Sequence, residues 1–134
     1  MIYLPDTNIW IAYLNPGESP VKTRLRAHPP AAITFCSVVK AELLYGAYRS
    51  ARRDDNLSLL ATLFAGFGSL PFDDAAAEVY GRLRAELAMQ GTLIGPNDLM
   101  IAAIALVNQL TVVTHNTREF TRVAGLPLED WVSS

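Results

Sequence analysis

Cysteine is nearly absent from this sequence: Cys36 stands alone, so no internal disulfide can form, and a reducing compartment suits the chain. Its setting, Ile33-Thr34-Phe35-Cys36, reads as the end of a buried strand, where a free cysteine serves as a small core residue. Long apolar runs are missing too. The longest candidate, Leu99 to Val107, falls well short of the ~18 residues that a membrane span needs. The first residues carry no positive charge, and Asp6 comes too early for a signal peptide, so the expected location is the cytoplasm. There is no Cys/His cluster of the kind that holds structural zinc. A Walker-type glycine loop and a dinucleotide-binding glycine fingerprint are also lacking. After Lys40 there is no lysine at all.

What is present fits one domain spanning residues 1–134, with 51% hydrophobic residues and a net charge of −2; such a chain can bury a core without covalent staples. Short apolar runs alternate with helical periods, which predicts an α/β fold in three α/β/α layers around a mainly parallel sheet. Residues 2–5 read as the first strand, with Thr7 or Asn8 capping a helix to about Leu14. A second helix runs from Pro20 to about Ala27, ahead of His28-Pro29-Pro30. A strand over 32–35 precedes a helix capped by Ser37, whose core face is read as Val38, Ala41, Tyr45 and Tyr48. Further helices are expected over 52–67, with Leu57, Leu60, Ala61 and Phe64 on one side, and from Asp73 or Asp74 to Gln90, with Ala76, Tyr80, Leu83 and Leu87 facing the core. Pro96 opens another helix to Asn108, since proline at the first helical position loses no hydrogen bond. Strands over 69–72 and 110–114, a short helix over 117–122 and an edge strand over 128–131 complete the reading.

The acids fall at telling places. Asp6 directly follows the first strand, and ligands of open parallel sheets bind beyond the carboxyl ends of the strands. The same residue could simply cap a helix. Glu42 borders an apolar stripe, where a carboxylate needs partners; an exposed helix glutamate is the plainer alternative. Asp98 sits in the first turn of a helix, a position that also favours acids through the helix dipole, and the small residues Ala102, Ala103 and Ala105 follow it. Thr114-His115-Asn116 and Glu119 come after the fourth strand, with His115 read as a substrate contact or a surface residue. Acids at the ends of different βα units suit a hard cation such as Mg²⁺, and such ions assist phosphodiester displacement.

Asp6-Thr7-Asn8, Ala41-Glu42-Leu43-Leu44-Tyr45-Gly46, Gly95-Pro96-Asn97-Asp98-Leu99-Met100-Ile101-Ala102-Ala103 and Thr114-His115-Asn116-Thr117-Arg118-Glu119-Phe120 resemble, in that order, the PIN-domain VapC toxins. The ending Leu128-Glu129-Asp130-Trp131 is similar to the subgroup that cleaves initiator tRNA. The resemblance implies an Mg²⁺- or Mn²⁺-dependent endoribonuclease, usually dimeric, that is the toxin of a toxin–antitoxin pair. Its partner would be a VapB-like antitoxin with a DNA-binding half, so operator DNA would be met only indirectly. Asp6, Glu42 and Asp98 take the family's first three acidic positions. Asn116 stands where many relatives carry an acid, and Glu119 is favoured as the fourth, with Asn8, Thr114 and Asn116 in support.

Two other strand-end acid sites fit less well. A phosphorelay receiver would need paired acids after the first strand and a lysine after the last core strand. A haloacid-dehalogenase-type phosphatase would need an acid at position 8, which is Asn. A catalytically inactive PIN scaffold that binds RNA or protein is the remaining alternative. If four acids share one site, the other nine are outnumbered by eleven Lys and Arg. Candidates for RNA phosphates are Arg49, Arg52, Arg53, Arg82, Arg84 and, first, Arg118; Lys22, Arg24 and Arg26 form a further basic group. An antitoxin would insert an Arg or Lys among the acids, with a helix laid on apolar residues such as Trp10 and Tyr13 or Leu57 and Leu60.

Overall fold

The computed structural model describes residues 1–133. Five strands, all paired in parallel, form the centre: β1 (Tyr3–Pro5), β2 (Thr34–Cys36), β3 (Gly68–Leu70), β4 (Thr111–Val113) and β5 (Leu128–Glu129). β1, β4 and β5 make one sheet and β2 and β3 another, and a single parallel bridge between Tyr3 and Ile33 joins them. β2 and β4 are buried along their whole length. Strands buried on both faces require cover on both sides, which is why these segments are apolar rather than alternating. The cover comes from α1 (Thr7–Leu14), α2 (Pro20–Arg26), α3 (Ser37–Tyr48), α4 (Arg53–Ala65), α5 (Asp74–Met89), α6 (Pro96–Asn108) and α7 (Thr117–Phe120). The expected α/β/α architecture is therefore the one formed.

Several boundaries differ from expectation for local reasons. Pro30 starts a 3-10 turn over Pro30–Ala32, so the second strand begins only at Thr34. Pro71, which has no N–H for the ladder, follows the end of β3 at Leu70. Asp6 itself, rather than Thr7 or Asn8, caps α1, its carboxylate accepting from the Ile9 amide at 3.1 Å. Ser19 and Asp73 cap α2 and α5 in the same manner. Ser37 is the first residue inside α3 and makes no capping bond.

The face of α3 is the clearest correction. Val38, Val39, Leu43 and Ala47 are buried, whereas Ala41 is exposed and Tyr45 and Tyr48 are 66% and 55% exposed. On α4, Leu60 is buried and Leu57 and Phe64 are half-buried, but Ala61 is exposed. The α5 face is as expected, with Ala76, Leu83 and Leu87 buried and Tyr80 packed against the core. Trp10, wholly buried, stacks on Phe35 at 4.3 Å and meets Phe67 edge-on. Cys36 is buried, and that burial pushes its thiol pKa up.

The basic group on α2 is structural. The buried Lys22 ammonium donates to the carbonyls of Asn15 and Gly17, closing the loop after α1. Arg24 pairs with Glu129 at 3.1 Å and Arg26 with Glu18 at 3.0 Å. No described helix is long and apolar enough to cross a membrane.

Candidate active site

Parallel strands end at one edge of the sheet, and the chain turns there into helices. Asp6 follows β1 directly. Thr114 follows β4, and its amide continues the ladder by donating to the Glu129 carbonyl at 3.0 Å. Glu42 lies in the second turn of α3, beyond β2, and Asp98 in the first turn of α6. Four acids from separate parts of the sequence thereby reach one region.

Asp6 is 6% exposed. Burial pushes its carboxyl pKa up, and hydrogen bonds from the Thr114 hydroxyl and the Ile9 and Asn8 amides oppose the rise, while Glu42 adds to it. Of Asn8, then, it is the backbone and not the exposed side chain that serves Asp6. Glu42 is held by the Thr7 hydroxyl, which donates to its Oε1 at 2.7 Å. Asp98 is the most perturbed: burial first, then the charges of Glu119, Asp6 and Glu42, raise its pKa to about 6 against a pull from Asn116. Glu119 is fixed on two sides. The Gly95 amide donates to its Oε1 at 2.5 Å, and the Asn116 side-chain amide to its Oε2 at 2.6 Å. A Cβ on Gly95 would stand 3.5 Å from Glu119 Oε1 and 4.0 Å from Asp98 Oδ2, so this glycine lies against both carboxylates. Thr114, fully buried, joins the two halves: it bonds Asp6 and its Oγ1 accepts from the Asn116 amide at 2.9 Å.

All four predicted acids and the supporting Thr114 and Asn116 are therefore brought together. Thr7 and Gly95 belong with them and were not singled out from the sequence. Both lie inside the quoted motifs, next to Asp6 and just ahead of Asp98, but their contacts cross between elements. Among the described residues, no three of His, Cys, Asp and Glu converge into a ready-made metal cage, even though the acids sense one another's charge. Charge coupling reaches farther than a coordination bond. The donors are all hard oxygens, and Mg²⁺ usually takes one or two carboxylates while keeping several waters, so an open group of this kind could hold such an ion without an enclosing cage.

His115 lies outside the group, on the surface, with Nδ1 3.1 Å from Asp130. The predicted RNA-contacting arginines are divided. Arg52 pairs with Asp55, Arg82 with Glu86, and Arg53 donates to the Tyr48 carbonyl. Arg49 and Arg84 donate to the hydroxyls of Tyr45 and Tyr80 one turn earlier on their helices. Only Arg118 of these six has no side-chain partner among the described residues, so an ion pair with Glu119 or Asp98 does not occupy it.

The PIN domain family model matches residues 3–126. The chain is 40% identical over 129 residues, 96% of its length and 97% of the relative's, to the tRNA(fMet)-specific endonuclease VapC of Shigella flexneri. Its structure superposes with a TM-score of 0.90, at 35% identity and covering 98% of each chain, on the DNA-bound VapBC of Salmonella typhimurium. VapBC2 of Rickettsia felis, bound to a promoter fragment, gives a TM-score of 0.89 at 35% identity, covering 98% of this chain and 99% of that one. The chain belongs to the PIN-domain family and, within it, to the VapC toxins.

Proposed function

We propose that this protein is an endoribonuclease toxin that hydrolyses tRNA, the initiator tRNA anticodon loop being its substrate, and that a VapB-like antitoxin silences it in the cytoplasm. The observation that carries this reading is the convergence of Asp6, Glu42, Asp98 and Glu119 at the carboxyl edge of the sheet, in a chain whose full-length relatives include a tRNA(fMet)-specific endonuclease. Asp6 and Asp98 would hold Mg²⁺ or Mn²⁺, with Glu42 and Glu119 completing the site. Such an ion, when bound, lowers the pKa of water and offsets charge developing on the phosphate. The chain's own part is orientation. Thr7 fixes Glu42, Gly95 and Asn116 fix Glu119, and Thr114 couples Asp6 to Asn116. In the hydrolysis, water adds to phosphorus and the bond to the 3′ oxygen breaks, leaving 5′-phosphate and 3′-hydroxyl ends.

The apolar surface expected to seat the antitoxin is only partly open. Trp10 is wholly buried, while Leu60, largely buried, turns its remaining surface to a cleft. That cleft, about 310 Å³ between α1, α3 and α4 and lined by Ile11, Leu14, Leu43, Leu59, Leu60 and Glu42, offers the apolar seat. Ile11 and Leu59 are about half exposed there. A segment lying in this cleft runs up to Glu42, from where an antitoxin Arg or Lys would reach the acids. Two copies of the chain would form a homodimer, and operator DNA would be bound by the antitoxin alone.

The deciding experiment incubates purified protein with initiator tRNA, with Mg²⁺ or with EDTA, beside Asp98→Asn. Cleavage in Mg²⁺ only, absent in the variant and yielding 5′-phosphate ends, is expected. Cyclic phosphate ends, or full activity in EDTA, would refute the mechanism.

A further inference from the structure

An open cleft of about 570 Å³ lies between α3 and α6, lined by Ser37, Glu42, Tyr45, Asn97, Met100 and Thr7 among others. It shares Thr7 and Glu42 with the acid group, and Asn97 is the neighbour of Asp98. Among the described residues of its lining Glu42 alone is charged, so a phosphate would be repelled from it. Tyr45 is 66% exposed, an unusual position for a large aromatic beside a cluster of acids. Its ring is held in place by Arg49, whose guanidinium lies 5.4 Å from the ring centroid and donates to the tyrosine hydroxyl at 3.2 Å. The Ser37 hydroxyl, which caps nothing, and the Asn97 amide have no side-chain hydrogen-bond partner among the described residues. Val38 and Met100 supply an apolar surface.

A neutral, flat ring with a hydrogen-bonding edge matches this lining. We propose that the cleft is a nucleobase subsite, in which one unpaired base next to the scissile phosphate stacks on Tyr45, presents its edge to Asn97 and Ser37, and leaves its own phosphate to Arg49. Single-stranded RNA is recognised through splayed bases stacked on aromatic rings. The juxtaposition explains how an acid site on a chain of net charge −2 can hold an anionic substrate. The sugar-phosphate is positioned by a base seated in a pocket that carries little charge. It also gives an arginine already engaged with a tyrosine a use that keeps that contact intact.

This inference rests on the nuclease reading above, and the test separates the two. An anticodon stem–loop of initiator tRNA is cleaved by the parent, Tyr45→Ala and Tyr45→Phe, and again with each loop base replaced in turn by an abasic nucleotide. Losing one base–aromatic stack should raise KM about tenfold for Tyr45→Ala, while Tyr45→Phe stays near the parent. One abasic position should reproduce the loss in the parent and add nothing to it in Tyr45→Ala. If the parent cleaves and Tyr45→Ala matches it at every position, the subsite is wrong and the nuclease stands. If Tyr45→Ala turns a dimer into a monomer with unchanged cleavage per chain, the face joins copies of the chain and the subsite is overturned. A parent that cleaves no RNA removes both readings.

Discussion

Asp98 carries the clearest energetic signature of the site. Its carboxyl is raised from 3.8 to about 6, mainly by burial and then by the three neighbouring acids. An acid raised on folding binds its proton more tightly in the folded state, so its contribution to stability is full below pH 3.8 and is lost as pH rises through about 6. The shift corresponds to about 3 kcal/mol, which solvent screening at this partly exposed group reduces to about 1–2 kcal/mol. In EDTA at pH 7.5, Asp98→Asn should therefore melt at a higher temperature than the parent, and the gap should close by pH 4. Calorimetry across that range checks it; a variant less stable at pH 7.5 would show that the charge of Asp98 has a compensating partner. Thr7 acts through Glu42 by one hydroxyl bond of 2.7 Å. Removing a group that orients a site carboxylate typically costs 10–100-fold. Thr7→Val should thus lower kcat by roughly that range with little change in melting temperature, and Thr7→Ser should restore it. Equal activity in all three would take Thr7 out of the site.

Elements carry costs that no single site residue reveals. α6 ends at Gln109 with φ +58° and ψ +47°, a left-handed conformation that costs a side chain about 1 kcal/mol and glycine almost nothing. The residue is exposed, so no packing is lost on replacement. Gln109→Gly should stabilise the protein by about 0.5–1 kcal/mol, read as a higher denaturant midpoint at unchanged slope. A lower midpoint would mean that the glutamine side chain has a role of its own. The loop between α1 and α2 depends instead on Lys22, whose buried ammonium holds the Asn15 and Gly17 carbonyls. Lys22→Met keeps the stem and removes the donors, which should cost about 1.5–3 kcal/mol while leaving cleavage intact. If Lys22→Met instead weakened RNA binding with no thermal effect, the residue would belong with the substrate contacts.

Charge is a property of the whole molecule. With a net charge of −2 and acids at the strand ends, RNA must be held by cations that remain free to meet it. Ion pairs engage Arg24, Arg26, Arg52 and Arg82, whereas Arg118 stands exposed one residue from Glu119, with no side-chain partner among the described residues. Each phosphate contact on a single strand contributes about −0.7 to the slope of log affinity against log salt. In an Asp6→Asn background, expected to bind without cutting, Arg118→Ala should weaken tRNA binding and flatten that slope by about 0.7. An unchanged slope would transfer the role to Arg49. Antitoxin binding also reads at this scale: Leu59→Asp should abolish inhibition by the antitoxin and leave cleavage as it was, since Leu59 lines the apolar cleft and is not one of the residues that hydrogen-bond the acids.

Local rules were enough to place most of the fold and the acids. An apolar run ending in Asp6, proline at the start of α6 and the period of α5 each express forces that act within a few residues, and the quoted motifs identified the family on their own. The short range of those forces is also where the reading stopped. On α3, spacing alone puts Val38, Ala41, Tyr45 and Tyr48 on one inward face; only the packing of α3 against α4 and α6 decides that Val39, Leu43 and Ala47 turn inward with Val38. Trp10 looked like a docking residue until Phe35 and Phe67 closed over it. Thr7 and Gly95 acquire their roles from carboxylates 35 and 24 residues away in sequence. Sequence determined which groups the molecule has and in which elements they lie, because backbone propensity is local. Tertiary structure decided which carboxylates share a field, which arginines stay free and which aromatics meet solvent, because burial and charge depend on distance through space.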